Sequence, residues 1–409
     1  METEDLIEKI RSGEIKLYEI EKFINNDVNK ASEIRRKFLE QELNIKLDHL
    51  GKYSIDLNQT FNKNIENAIG CVQIPVGIAG PLKINGEYAK GLFYVPLATT
   101  EGALVASVNR GCSVITSSGG AFTKILYDKM TRAPLFKVKN ISEAIRLTQW
   151  VKENFDEIKR KFEEGSRHLK LINIQPWIIG RNVWLRFEAQ TGDAMGMNMV
   201  TIATERACNY ITENFKEAKL VALSGNLCTD KKPGAINWLL GRGKTVLAEV
   251  TVPREIVKEK LKTTPEEAQE VAFKKNILAS AFAHSYGLNA HIANIIAAVF
   301  LATGQDAAQI TESSMGISYA EVNEEGNLYV SVYLPSLEIG TVGGGTGLPT
   351  QKESLRILGC EGGGKESGEN AKKFAEIIAA TVLAGEISLL AALAAGHLAK
   401  AHIRLGKGK

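Results

Sequence analysis

Residues 377–399 read IIAATVLAGEISLLAALAAGHLA, and Glu386 is the one acidic side chain among them. A helix of this length could cross a bilayer. However, a lone carboxylate is costly in lipid, whereas a protein interior can give it partners. Helices with few charges over such lengths are typical of the middle of a domain. We therefore predict buried core helices over 371–403 and, because residues 276–305 are also uncharged but carry histidines and asparagines, over 266–303.

The apolar pattern around these helices predicts an α+β fold with a long central helix and three parts. Residues 1–50 are highly charged with helical spacing and predict a small helical N-terminal region. Residues 51–133 and 223–409 are assigned to one large domain that contains both core helices. Between them, residues 134–222 follow the order β-α-β-β-α-β, which is the ferredoxin-like pattern. We expect this segment to be a compact inserted module whose ends lie close together.

The composition is that of an ordinary globular protein. The 409 residues are 44% hydrophobic, and 50 basic against 47 acidic side chains leave a net charge of +3. This balance excludes a disordered chain and gives no basic surface for nucleic acid. The five cysteines are an odd set without a CxxC pair, which disfavours a disulfide framework or a cysteine-rich zinc site. The N-terminus lacks the apolar core of a signal peptide, so we expect a cytoplasmic protein without a membrane segment.

Several familiar motifs fail on inspection. The GKT at 243–245 lacks the first glycine of a P-loop, and no GxGxxG follows a predicted strand. His397 and His402 are five residues apart, so on one helix they point about 140° away from each other. No other spacing suits a metal, and we therefore predict a site without one.

One cluster of charged residues is a candidate for a catalytic role. The segment SGNLCTDKKP at 224–233 places Lys231 and Lys232 beside Asp230. This cluster is interpreted either as a solvated turn or as an ammonium that stabilises an oxyanion. Glu101 and Asp306 are lone acids next to apolar runs, where they either cap a helix or serve a site. Together with Lys231 they form a candidate set in which lysine holds charge and glutamate moves a proton.

The segment GDAMGMN at 192–198 lies between a predicted strand and a predicted helix. Asp193 is a good N-cap, and the small residues would let a ligand approach the helix start. On this motif alone, a plain cap with methionine packing is the favoured interpretation.

Eight segments in this order resemble the hydroxymethylglutaryl-CoA (HMG-CoA) reductase family, in its eukaryotic and archaeal class. They lie at 66–70, 75–82, 99–112, 192–201, 224–244, 289–314, 340–351 and 384–402. The resemblance implies reduction of HMG-CoA, through a thiohemiacetal and an aldehyde, to mevalonate with release of CoA. It also implies two NADPH per turnover, no metal, and a place in the mevalonate pathway of isoprenoid synthesis.

The resemblance also implies catalytic roles. Lys231 would meet the negative charge on the carbonyl oxygen, and Glu101 would supply a proton. Asp306 would bridge these two side chains and tune both. His402 would protonate the leaving thiolate of CoA, whereas His397 does not match that position.

Binding residues are carried over by the same resemblance. The substrate would be held by Arg132, Ser224, Asp230, Lys232, Lys275, His291 and Asn294. Lys274 is the alternative to its neighbour Lys275. CoA contacts would fall near Glu66, Asn109 and Arg110. The inserted module would bind NADPH along Asp193, Met195, Gly196, Met197 and Asn198, with Ser166 and Arg167 at its 2′-phosphate. Gln190 replaces an arginine that is frequent in the family, and Gly408 stands where eukaryotic members have a regulatory serine.

The partners implied are HMG-CoA, CoA and NADPH, with no nucleic acid and no membrane. A homodimer or homotetramer with active sites between subunits is also implied. Two other functions stay open. One is a CoA thioesterase or acyltransferase that uses Cys112 or Cys228 as nucleophile. The other is an RNA-binding module, because ferredoxin-like domains often bind RNA.

Overall fold

The computed structural model describes residues 3–396, and these form two compact units. One unit comprises the chain up to Pro75 together with Gly347–Thr350. The other comprises Val76–Thr346 and the chain from Gln351 onward. His397 and His402 therefore lie outside the described residues.

Fourteen α-helical segments occur in this described part. They are α1 Thr3–Arg11, α2 Val28–Leu43, α3 Leu104–Ser117, α4 Ile141–Glu153, α5 Phe155–Glu163, α6 Met197–Asn214, α7 Ala235–Leu240, α8 Arg254–Ile256, α9 Pro265–Val271, α10 Ser280–Phe282, α11 Ile292–Thr303, α12 Ile310–Ser313, α13 Pro349–Ile357 and α14 Glu369–Ala394. Short segments of 3-10 or π geometry lie between several of them, as at Ala272–Ala279.

Ten strands lie between residues 3 and 396. They are β1 Val76–Asn85, β2 Lys90–Ala98, β3 Phe122–Arg132, β4 Leu135–Lys137, β5 Lys170–Ile179, β6 Asn182–Gln190, β7 Lys219–Ala222, β8 Gly243–Val252, β9 Ile317–Val322 and β10 Leu328–Leu337. Strands β1 and β2 form an antiparallel pair. The others form one sheet in the order β7-β4-β6-β3-β8-β10-β9, with β5 on β6. The predicted α+β class is confirmed.

The N-terminal unit is a small helical body with local signals for each helix. Asp27 caps α2 by accepting the backbone N–H of Lys30, and Asn44 ends the helix in the left-handed conformation. The buried Arg35 forms an ion pair of 2.6 Å with Glu21. It also donates to the carbonyl of Leu17 at 2.7 Å. These contacts supply partners for a charge that burial would otherwise leave without any.

The order β-α-β-β-α-β predicted for residues 134–222 is present. It consists of β4, α4, β5, β6, α6 and β7, with α5 as an additional helix after α4. Their sheet order β7-β4-β6-β5 is that of a ferredoxin-like fold. These elements enclose their own apolar core, in which Phe162 and Phe187 stack with ring centroids 5.6 Å apart. The boundaries of this module as a separate domain stay a prediction.

Helix α14 is buried nearly all round and packs against α3, α11 and β8. Among the described residues it is the one helix long and apolar enough to cross a membrane, but 83% of its most apolar window is buried in the protein. Glu386 is satisfied there, because it accepts the backbone N–H groups of Ala290 and His291, each at 2.8 Å. The core-helix interpretation of this stretch therefore holds through Ala394.

The prediction of one helix over 266–303 was wrong. The chain is helical through α9, a π turn and α10, then leaves the helix near His284, which has φ +53°, and resumes at α11. Glu386 of α14 takes backbone N–H groups just before α11. A tertiary partner thus replaces the i−4 carbonyls that a continuous helix would supply, and periodicity does not reveal such a break.

Candidate active site

Residues 224–233 form a tight loop in which three non-glycine residues have positive φ. They are Asn226 at +67°, Thr229 at +46° and Lys231 at +60°. A left-handed conformation costs about 1–2 kcal/mol for a residue with a Cβ, and more for a β-branched one such as Thr229. The loop therefore needs strong contacts elsewhere to hold its shape.

The Lys231 ammonium lies 3.0 Å from the Asp306 carboxylate. Asp306 is itself fixed, because it accepts the N–H of Ala308 at 3.0 Å as the cap of a 3-10 turn. The side chains are 48% and 34% exposed, so the pair can meet a ligand. The structure thus brings together two of the three residues in the predicted catalytic set.

Glu101 is exposed just before α3, and Asn294 of α11 donates to its Oε1 at 3.2 Å. Between residues 3 and 396, no ion pair or hydrogen bond joins Glu101 to Lys231. The bridge through Asp306 that the resemblance implies therefore stays a prediction, whereas the contact of Glu101 with Asn294 links two predicted site residues.

Arg132, at the end of β3, contacts two of the predicted substrate-binding residues of the loop, Ser224 and Asp230. It donates to Ser224 at 2.8 Å and to Thr201 at 3.1 Å. Its guanidinium lies 3.6 Å from Asp230. Lys232 donates its ammonium to the carbonyl of Asp230 at 2.9 Å. Two cations and a hydroxyl therefore lie around Asp230, and such donors suit a carboxylate ligand.

Sequence analysis missed the residue at the centre of this region. Arg242, fully buried, contacts three carboxylates: Asp230 at 3.0 Å, Glu312 at 2.8 Å and Glu338 at 2.7 Å. Desolvation opposes ionisation of Asp230, but the charges of Arg242 and Arg132 and a hydrogen bond from Gln309 hold its pKa below the ordinary value. Asp230 is therefore a carboxylate.

The pKa of Glu338 is shifted in the opposite direction to that of Asp230. Burial raises the pKa of this carboxyl well above 4.5, against the attraction of Arg242, and the neighbouring Glu312 adds to the rise. A protonated Glu338 leaves the cations Arg242 and Arg132 opposite two carboxylates, Asp230 and Glu312. An uncharged Glu338 lowers the number of buried charges around Arg242, which lowers the desolvation cost of the cluster.

We expect Glu338→Gln to change how stability depends on pH. Above pH 4.5 the unfolded chain ionises Glu338 while the folded protein keeps its proton, so this residue destabilises the fold progressively as pH rises. Glutamine cannot ionise, so the variant lacks this fall in stability with rising pH. In urea denaturation, the stability difference of the variant from wild type should therefore shift in favour of the variant between pH 5 and pH 8. An identical difference at both pH values would contradict the assigned protonation.

The side chain of Lys275 is partly buried, whereas that of Lys274 is exposed. The ammonium of Lys275 is 3.4 Å from the carbonyl of Ala290, and desolvation lowers its pKa against the attraction of Glu386. Lys274 is exposed and pairs with Glu270 on its own helix. His291 donates its Nε2–H to the carbonyl of Gly385 at 2.9 Å. The geometry favours Lys275 over its neighbour as the substrate contact, which stays a prediction.

Asp193 has a structural role. Its carboxylate accepts the backbone N–H groups of Gly364, Gly368 and Ala371 at 2.9–3.1 Å, which fixes the start of α14. A Cβ on Gly340 would lie 2.4 Å from the amide nitrogen of Met195, so the glycine run 340–347 begins in close contact with this loop. Sequence analysis did not anticipate this juxtaposition. Whether Asp193 also touches a cofactor stays a prediction.

The other residues predicted to bind the cofactor vary in exposure. Met195 and Gly196 are partly buried, Met197 is buried and accepts from Arg242, and Asn198 is exposed. In the same module, Arg167 is exposed and contacts its neighbour His168 at 3.1 Å, while Ser166 is partly buried.

The three residues predicted to contact CoA lie in both units. Asn109 accepts the N–H of Gly80 at 2.9 Å, and Arg110 donates to the carbonyl of Ser388 at 2.6 Å. Glu66 is exposed in the N-terminal unit. Arg110 is thus held by the central helix, and a direct contact with CoA stays a prediction for all three.

The nucleophilic alternatives gain no support. Burial raises the pKa of Cys112 to about 12, so its thiolate is scarce near neutrality. Cys228 is buried beside Arg132, whose Nη1 lies 3.8 Å from its sulfur. In the described part of the chain, no group of three or more His, Cys, Asp or Glu side chains could hold a metal ion.

Comparisons with known proteins agree with the family resemblance of the sequence. The family model described as hydroxymethylglutaryl-coenzyme A reductase matches residues 31–407. Two curated proteins named 3-hydroxy-3-methylglutaryl-coenzyme A reductase are similar over the full length. The one from Pyrococcus abyssi is 62% identical over 100% of both chains. That from Methanocaldococcus jannaschii is 57% identical over 98% of this chain and 99% of its own.

More distant proteins are similar as well. Reductase 1 from Dictyostelium discoideum is 42% identical over 100% of this chain and 74% of its own. A solved class II reductase from Streptococcus pneumoniae, bound to NADPH, is 18% identical. It covers 88% of this chain and 96% of its own with a TM-score of 0.65, which shows a similar fold.

Proposed function

Since this chain belongs to the hydroxymethylglutaryl-coenzyme A reductase family, we propose that its reaction takes place at the Lys231–Asp306 pair. The reaction reduces HMG-CoA to mevalonate and CoA in two successive hydride transfers, as part of the mevalonate pathway. The observation that carries this assignment is the 3.0 Å contact between an ammonium and a carboxylate that both stay open to a ligand.

The donors around Asp230 suit the free carboxylate of the substrate. Arg132 and Lys232 supply positive charge, and Ser224 supplies a hydroxyl. Lys275 is a further cation whose partial burial would strengthen an ion pair. These groups would fix the substrate so that its reacting carbonyl lies near Lys231.

Each reduction places negative charge on a carbonyl oxygen, and the Lys231 ammonium stabilises it. Asp306 holds this amine in place through their ion pair. Glu101 donates a proton toward the aldehyde oxygen, and the amide of Asn294 orients its carboxyl group. Protonation of the CoA thiolate by His402 stays a prediction, because this residue lies outside 3–396.

The NADPH assignment is supported by the glycine run. Gly343 and Gly344 have φ of +83° and +56°, and a Cβ on either would meet nothing within 4 Å among the described atoms. Such open backbone lets a dinucleotide approach closely. Asn198, Ser166 and Arg167 would hold it, and the arginine suits bidentate contact with a 2′-phosphate. When bound, NADPH supplies the hydride for each reduction.

A cofactor-oxidation assay tests the function. We expect two NADPH to be oxidised for each CoA released from HMG-CoA, with little turnover on NADH. Free thiol and absorbance at 340 nm, recorded on the same sample, give this ratio. CoA release without NADPH oxidation would instead indicate a thioesterase, and no turnover at all would refute the proposal.

We further propose a cytoplasmic homo-oligomer with active sites between subunits. An apolar groove of about 640 Å³ beside the catalytic loop supports an association. It is lined by Gln175, Pro176, Trp177, Leu227, Ile236, Leu239 and Leu240. Leu239 is 73% exposed. Sedimentation velocity of the purified chain tests this, and a monomer at assay concentration would exclude it.

A further inference from the structure

The strained backbone at Lys231 is anchored by a side chain from another part of the chain. Lys231 donates its backbone N–H to Glu312 of α12 in a short hydrogen bond. The N–H of Lys232 lies 3.4 Å from the same carboxylate oxygen. These contacts reach two consecutive amides of the loop, at the residue whose φ is +60°.

The anchor is itself buried and saturated. Glu312 is fully inaccessible, and its second oxygen accepts from Arg242 at 2.8 Å and from Asn237 at 3.1 Å. Arg242 is in turn fixed by Glu338 and Asp230. These contacts hold the Glu312 carboxylate in one position. The carboxylate in turn fixes the backbone of Lys231 and does not contact its amine.

We propose that Glu312 is a positioning residue that holds the Lys231 backbone in the left-handed conformation and so aims its ammonium at Asp306 and the substrate oxygen. The inference rests on the proposed function of Lys231, but it concerns a residue that touches neither substrate nor cofactor. A misplacement of about 1 Å in a catalytic group is sufficient to cost on the order of 10²-fold in rate.

Two variants separate the contacts of Glu312. Glu312→Gln keeps the size but removes the charge opposite Arg242. Glu312→Asp keeps the charge and withdraws the carboxylate from the loop by one methylene. We expect each to lower the single-turnover rate constant of NADPH oxidation about 10- to 100-fold, with a smaller change in KM for HMG-CoA. If Glu312→Gln fails to fold, Glu312→Asp carries the test.

The rate constant distinguishes positioning from a merely structural role. A destabilised protein with fewer active molecules shows a smaller reaction amplitude but an unchanged rate constant. Glu376→Gln is the matched control, because Glu376 is also buried in the same unit and accepts three backbone N–H groups, those of Glu87, Tyr88 and Ala89. We expect that control to lower the melting temperature and leave the rate constant at its wild-type value.

Wild-type rate constants in both Glu312 variants would overturn the inference. Absence of NADPH-dependent turnover in the wild-type protein would instead overturn the proposed function.

Discussion

Lys231→Ala should lower kcat for HMG-CoA reduction by at least about 10²–10³-fold, because it removes the cation that we propose meets the developing alkoxide. The melting temperature should change little, since the Lys231–Asp306 pair is half-exposed and such pairs contribute at most about 1 kcal/mol. Steady-state NADPH oxidation together with calorimetry measures both quantities.

The matched control for this variant is Lys124→Ala. Lys124 is also 48% exposed and also pairs with a carboxylate, that of Glu87, but it lies in β3 far along the chain from the catalytic loop. We expect wild-type kcat in this control. Full activity of Lys231→Ala would remove this lysine from the mechanism, and an equal loss in both variants would point to nonspecific damage.

Arg242→Met should be the most destabilising of these substitutions. It leaves the buried Glu312 and Glu338 and the partly buried Asp230 around a position without its cation. Removal of one partner from a buried ion pair typically costs about 3–5 kcal/mol, and here the carboxylates of Asp230 and Glu312 both lose the same partner. The urea denaturation midpoint at pH 7 should fall accordingly.

Arg254→Met is the comparison for Arg242→Met. Arg254 also pairs with a glutamate, Glu266, but both side chains are exposed, so we expect a much smaller change in the midpoint than for Arg242→Met. Adding Glu338→Gln to Arg242→Met should recover part of the lost stability, because the unfolded chain can then no longer gain stability by ionising this group. A midpoint for Arg242→Met equal to that of wild type would show that the cluster does not depend on this cation.

Periodicity and composition predicted the parts of the fold that depend on neighbours along the chain. Helix α14 followed from an apolar stretch without breaks, and the ferredoxin-like order followed from alternation in β5 and β6 and helical spacing in α4 and α6. The break between α10 and α11 did not follow. It depends on backbone N–H groups given to Glu386, which is 95 residues or more away along the chain.

The candidate site divides in the same way. The sequence by itself determined which chemical groups are present in the loop 224–233, and its resemblance to a family assigned Lys231, Asp306 and Glu101 to a reduction. Only the tertiary structure decided that Arg242, Glu312 and Glu338 meet in one buried cluster and hold the loop. The physical reason is that a buried charge is stabilised by the partners that surround it in space. These partners come from three separate segments of the chain, and the local sequence of one segment does not indicate its contacts with the others.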